Sequence, residues 1–89
     1  NPTINNTVTV HYKGYLTNGN QFDGTTTNPA TFPLYNLIQG WQIGIPLIKK
    51  GGEIKLIIPS SLGYGSNSPS NAIPSNSVLV FDIQLVDFK

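Results

Sequence analysis

A chain of 89 residues with 10% charged side chains, a net charge of +1 and no cysteine has room for one small core and few ways to carry chemistry. At this size a domain buries about 60–65% of its extended-chain surface, so a second core is excluded. No basic stripe exists for phosphates and no acidic tail for cations, and without cysteine there is no disulfide, thiolate nucleophile or thiolate metal site.

The chain starts at Asn1 with neither a methionine nor a signal peptide, as expected of an excised or processed domain, and residues 1–6 read as its lead-in. Asn5-Asn6-Thr7 matches a glycosylation sequon, a motif too short to carry weight. Residues 7–15 (TVTVHYKGY) alternate strictly, with Val8, Val10 and Tyr12 on one face and Thr9 and His11 on the other, the pattern of a half-buried strand. Thr17-Asn18-Gly19-Asn20 supplies an Asn-Gly hairpin turn, and Gln21-Phe22-Asp23 starts the returning strand, which Asp23-Gly24 breaks before a polar loop over residues 25–29. Residues 30–34 form a further short strand carrying Phe32, and Pro33 marks it as an edge or a bulge.

Residues 36–47 (NLIQGWQIGIPL) are the one stretch with helical spacing, and they hold the only tryptophan. Leu37, Ile38 and Trp41 fall on one apolar face of a short helix, which Pro46 ends near Gly44 or Ile45. After Ile45 to Ile48, Lys49-Lys50-Gly51-Gly52 makes an exposed turn into the strand Glu53–Ile58, with Ile54, Leu56 and Ile58 facing one way and Glu53, Lys55 and Ile57 the other. Residues 60–76 make a long loop rich in Ser, Pro, Asn and Gly that contains Leu62-Gly63-Tyr64-Gly65; a loop of that length in so small a domain points to function or disorder, and an aromatic between two glycines favours function. Residues 77–88 close the chain as a strand with Leu79, Phe81, Ile83 and Leu85 on one face and Asp82 and Gln84 on the other. The outline is a single α+β domain over residues 1–89: an antiparallel half-barrel sheet wrapped around one short α-helix, with a long loop over residues 60–76.

The inventory excludes most covalent chemistry. His11 is the only histidine and sits in a strand, where a hydrogen bond to a neighbouring loop is its ordinary role; no Ser stands in a nucleophile elbow, and the four acids form no close sequence pair. Aromatic and aliphatic residues gather instead at element ends: Tyr12, Phe22, Phe32, Leu37, Ile38, Trp41, Tyr64 and Phe81. Each alone reads as core filling, but together they exceed what so small a core needs beside its Val, Ile and Leu. Asp23, next to Phe22, is either a solvated surface charge or a paired group at the rim of a pocket.

These blocks carry a family resemblance. Val8-Thr9-Val10-His11-Tyr12-Lys13-Gly14, Gln21-Phe22-Asp23, Ile38-Gln39-Gly40-Trp41, Gly52-Glu53, Ile58-Pro59 with Leu62-Gly63-Tyr64-Gly65, and Ile73-Pro74 with residues 79–85 resemble the macrolide-binding, FKBP-type peptidyl-prolyl cis-trans isomerases, in family order and at family spacing. The resemblance implies an isomerase of X–Pro peptide bonds that assists protein folding, needs neither cofactor nor metal, and takes proline-containing polypeptides and macrolide inhibitors as partners. By motif, substrate would meet Tyr12, Phe22, Asp23, Phe32, Leu37, Ile38, Trp41, Tyr64, Ile73 and Phe81, with Asp23, Tyr64, Phe81 and Tyr12 closest to catalysis. Trp41 would be the floor beneath the proline ring, and the Tyr64 hydroxyl and Ile38 N–H would bind substrate carbonyls. Pro69, where many relatives place a histidine, and Ala72, where a bulky aliphatic is common, depart from the pattern and would alter the cleft rim. Two other readings stay open: a module that binds proline segments without turnover, and a structural domain of a larger envelope protein. The domain alone is expected to be a monomer with no nucleic-acid or membrane contact, and its low charge and Asn/Ser/Thr-rich polarity lean toward a bacterial periplasm or cell envelope.

Overall fold

The computed structural model describes residues 1–66 and 73–89. Five strands and one short helix follow in the order β1 (Thr7–Leu16), β2 (Gln21–Gly24), β3 (Ala30–Pro33), α1 (Gln39–Gly44), β4 (Glu53–Ile58) and β5 (Leu79–Phe88). All pairings are antiparallel, in the order β2-β1-β5-β4. β5 runs along the whole of one edge of β1, while β3 takes the first half of the other edge, with Val8 opposite Phe32, and β2 takes the second half, with Gly14 opposite Asp23. The first and last strands are thus central neighbours, and Thr7 and Lys89 exchange backbone bonds of 2.8 and 2.9 Å.

Period-two patterning decides which face is buried. Val8 and Val10 of β1, Leu79, Phe81, Ile83 and Leu85 of β5 and Ile58 of β4 join Leu34, Trp41, Ile45 and Ile73 in one core. The opposite face is wet, and register places Lys13, Asp82 and Lys55 in one row across β1, β5 and β4. Two irregularities adjust the alternation. Between Thr9 and Val10 of β1 the pairing skips Val86, so Phe88 packs against the core although it is out of step with Leu85. At Gly14 and Tyr15 it skips Phe22. A Cβ on Gly14 would lie 2.8 Å from both Phe22 Cζ and Phe81 Cε1, so a glycine is needed for the two rings to fold over β1. At the β1–β2 turn Gly19 has φ +89°, the left-handed backbone that the Asn-Gly signal implies.

The helical stretch differs from the reading over residues 36–47. Leu34–Asn36 forms a 3₁₀ turn, Leu37 and Ile38 are extended, α1 covers Gln39–Gly44, and Ile45–Leu47 is a second 3₁₀ turn with Pro46 inside it. Leu37 and Ile38 therefore stand on a lip before the helix and not on its face. Helical spacing alone could not show this, because Leu37 and Ile38 are held by backbone bonds on either side: Leu37 N–H donates to Leu34 O, and Ile38 O accepts from Trp41 and Gln42. The helix approaches β4 through its glycines; a Cβ on Gly40 would lie 2.5 Å from Ile58 Cδ1, and one on Gly44 2.5 Å from Leu56 Cδ2. Strand ends also move: β1 extends to Leu16, β3 stops at Pro33, and β5 starts at Leu79, not at residue 77. Pro69 and Ala72 lie outside the described residues.

Candidate active site

A cleft of about 180 Å³ opens between the sheet and the lip before α1. Its lining is Tyr12 from β1, Asp23 from β2, Phe32 from β3, Asn36 from the end of the first 3₁₀ turn, Leu37 and Ile38 from the lip, Trp41 from α1, Tyr64 from the β4–β5 connection and Phe81 from β5. Every element except β4 contributes, so only the completed fold assembles it. Trp41 and Phe81, 4% and 2% exposed, form its buried wall; Asp23 and Asn36 are exposed at its rim.

Edge-to-face contacts hold the aromatic wall in place. Trp41 stands at 5.1 Å and 81° to Tyr12, 5.1 Å and 84° to Phe81, and 6.3 Å and 88° to Phe32. In such pairs a positive ring edge meets a negative ring face, worth about 0.5–1.5 kcal/mol beyond area burial. Trp41 Nε1 is buried and, among the described residues, is the one buried side-chain N or O atom without a hydrogen-bond partner.

The polar groups divide into spent and unspent. Asp23 Oδ2 accepts from Tyr12 Oη at 3.0 Å and Oδ1 from Gly24 N–H at 2.8 Å, which orients an otherwise exposed carboxylate. Burial pushes the Tyr12 hydroxyl up to about 12, and the bond to Asp23, its charge and the neighbouring Tyr64 add to the shift. The Tyr64 hydroxyl is raised for the same first reason, burial, with the Asp23 charge second. Both tyrosines therefore remain neutral donors through the ordinary pH range. Tyr12 has spent its proton on Asp23, whereas the hydroxyl of Tyr64 and the N–H of Ile38 donate to nothing among the described residues.

Eight of the ten residues marked in the sequence line this cleft. Phe22 stands behind it, 5.6 Å and 87° from Phe81 and over Gly14, as a support for the wall. Ile73 is 5% exposed and belongs to the core. Asn36 was not marked; placing Leu37 and Ile38 on an extended lip would have pointed to it, since the lip brings its own preceding residue to the rim. His11 meets Thr25 Oγ1 at 3.1 Å on the far side of the sheet, where a wider, shallower depression of about 720 Å³ is lined by Lys13, Glu53, Lys55, Asp82 and Gln84 among others. That depression mixes charges of both signs and lacks the buried aromatic wall, so the smaller cleft is the candidate site. Among the described residues no three His, Asp or Glu side chains gather as metal ligands, and no helix is long and apolar enough to cross a membrane.

A wrapped sheet and a short helix enclose an aromatic slot, with two donors at its mouth that are unspent among the described residues. The family model for FKBP-type peptidyl-prolyl cis-trans isomerases matches residues 1–86, and the chain belongs to that family. It is 56% identical over 89 residues to the FKBP-type peptidyl-prolyl cis-trans isomerase FkpA of Buchnera aphidicola from Schizaphis graminum, covering 98% of this chain and 35% of the relative. Against FkpA of Escherichia coli the identity is 48% over 90 residues, covering 99% of this chain and 33% of the relative. The crystal structure of Escherichia coli FkpA matches with a TM-score of 0.92 over 99% of this chain and 42% of that one. A peptidyl-prolyl cis-trans isomerase from Pseudomonas syringae, 34% identical, also gives 0.92, over 99% of this chain and 65% of that one. The chain spans about a third of the length of the curated relatives it matches.

Proposed function

We propose that this domain catalyses cis-trans isomerisation of X–Pro bonds in polypeptides, with the proline ring against Trp41 and Phe81. The observation that carries the reading is the pairing of a buried aromatic wall with two unspent donors, Tyr64 Oη and Ile38 N–H, at one small cleft. An X–Pro amide is nearly balanced between its isomers, but resonance sets a barrier of about 18–20 kcal/mol. No bond has to break. As the amide twists it loses resonance, its nitrogen pyramidalises and its carbonyl becomes less polar, so a dry aromatic cleft suits the twisted state better than water does. Tyr64 and Ile38 hold the flanking carbonyls, and the Asp23 carboxylate, fixed by Tyr12 and Gly24, faces the turning amide from the rim. Phe32 and Leu37 close the sides; Phe22 and Ile73 support the wall from behind. Macrolides that present a ring between two carbonyls would compete for the same slot, and the isolated domain would act as a monomer.

The test is the refolding of a protein limited by proline isomerisation, followed with catalytic amounts of this chain, beside turnover of X–Pro peptides with varied X. Acceleration of the slow phase supports an isomerase. Refolding that is slowed or unchanged, with peptide still bound, would establish a binding module instead.

A further inference from the structure

We infer that the side-chain amide of Gln42 is a positioning residue for substrate, acting through the peptide plane that carries the Ile38 N–H; the inference rests on the reading of that N–H as a substrate donor. Gln42 Nε2 donates to Leu37 O at 2.7 Å and to Tyr35 O at 3.1 Å. Leu37 C=O and Ile38 N–H belong to one peptide group, which is planar and trans, so they point in opposite directions. A hydrogen bond that fixes the carbonyl thereby fixes the N–H on the other side, and it polarises the group so that the N–H donates more strongly. The second bond, to Tyr35 O, ties the 3₁₀ turn to the same side chain, so that Asn36 is bracketed between two held carbonyls at the cleft rim. The lip needs such a brace: Leu37 and Ile38 are extended at ψ 165° and 153° and lie outside any ladder, so no strand neighbour sets their peptide planes.

Only a group with two donors and no competing charge satisfies both carbonyls. Glutamine has them; glutamate at neutral pH presents acceptors to acceptors, and methionine keeps the length with neither. The experiment compares the intact chain with Gln42→Met and Gln42→Glu, using a blocked Leu-Pro peptide, Trp41 fluorescence for its Kd, peptide turnover for kcat and KM, and the Ile38 amide resonance by NMR. Both substitutions should weaken Kd and raise KM by about three- to tenfold, the scale of one neutral hydrogen bond, while kcat changes by less than about twofold, since uniform binding is what is lost. The Ile38 amide proton should move upfield in the free protein. For Gln42→Glu the excess in KM should shrink as pH falls from about 7 toward about 4, where the introduced carboxyl regains one donor; Gln42→Met should show no such recovery. Lowered thermal stability with Kd, KM and the Ile38 resonance unchanged would reduce Gln42 to a structural residue and overturn the inference. A wild-type chain that binds the peptide without turning it over would defeat the isomerase reading, while the three Kd values would still decide the role of Gln42.

Discussion

Asp23 spends one carboxylate oxygen on Tyr12 and the other on Gly24, so it does not stand as a lone base. A neutral hydrogen bond contributes about 0.5–1.5 kcal/mol net, and a tenfold change in rate needs about 1.4. Tyr64→Phe and Asp23→Ala should accordingly each lower kcat/KM by roughly tenfold without abolishing it; abolition by either one in a chain that still folds would mean that catalysis is not shared across the cleft. The tyrosines also set an alkaline limit. Because the Tyr12 hydroxyl is raised to about 12 in the folded chain, the protonated form is favoured by folding, and the unfolded chain loses its proton first. Its contribution to stability is complete below about 10, the unfolded value, and drains away as pH climbs toward 12. A urea series across that range, read beside Tyr12→Phe, should show stability falling with pH more steeply in the wild type, and the tyrosinate absorbance that Tyr12→Phe removes should be a part that appears late. Trp41 gives a third residue-scale test. Trp41→Ala should cost about 3–5 kcal/mol, as for other buried aromatics. Trp41→Phe should cost only roughly 1–2, because it also removes a buried donor that has no partner and carries its own desolvation penalty. Equal costs in circular-dichroism unfolding curves would show that the indole N–H is satisfied after all.

At the scale of elements, α1 is short, uncapped by any side chain and flanked by 3₁₀ turns, so contacts and not propensity keep it helical. Its closest approach is Gly40 over Ile58, which is 2% exposed and has no room to swing aside. An alanine there gains about 1 kcal/mol of helix propensity but overpacks a full core, which costs about 1–3 kcal/mol. Gly40→Ala should be destabilising on balance and should disturb the Trp41 wall, visible as lowered peptide affinity. Gly44→Ala should lie nearer neutral, because Leu56 is only half-buried and its terminal methyls can turn. A stabilised Gly40→Ala would show that the helix stands further from β4 than these contacts require. The long strands were readable from the sequence because they bury one face, and alternation leaves a plain record: Leu79, Phe81, Ile83 and Leu85 against Asp82 and Gln84. The helix was readable only in outline, since the apolar spacing of Leu37, Ile38 and Trp41 fits a helical face equally well as an extended lip followed by a turn. What separates the two is the Gln42 amide on the Tyr35 and Leu37 carbonyls, a side-chain contact that leaves no periodic trace. Phe22 stands outside the cleft lining for a related reason: the irregularity at Gly14 and Tyr15 takes it out of register, against Phe81.

Across the whole molecule the arrangement makes the core and the cleft inseparable. β5 joins β1, from the other end of the chain, to β4, and its Phe81 is at once a buried core residue and the back of the cleft. Stability therefore comes from apolar packing and ladders between distant segments, and charge has little part in it. The two ion pairs found among the described residues, Lys50 with Asp87 at 3.5 Å and Lys55 with Asp82 at 3.8 Å, have side chains more than half exposed, a setting in which such pairs contribute about 0–1 kcal/mol. The cleft wall is uncharged, and its one carboxylate is already bonded to Tyr12 and Gly24. It follows that sodium chloride should hardly matter to either property. Between roughly 0.01 and 1 M ionic strength the Debye length falls from about 30 to about 3 Å, enough to erase any exposed pair. Over that range the loss should stay below about 1 kcal/mol, a shift in Tm of no more than about 4–8 °C for a domain of this size, and KM for an uncharged X–Pro peptide should stay within about twofold. A KM that rises steeply with salt would mean that charged side chains, and not the aromatic wall, set the binding, and would move the binding surface from the aromatic cleft to the charged outer face of the sheet, where Lys13, Lys55, Glu53 and Asp82 stand.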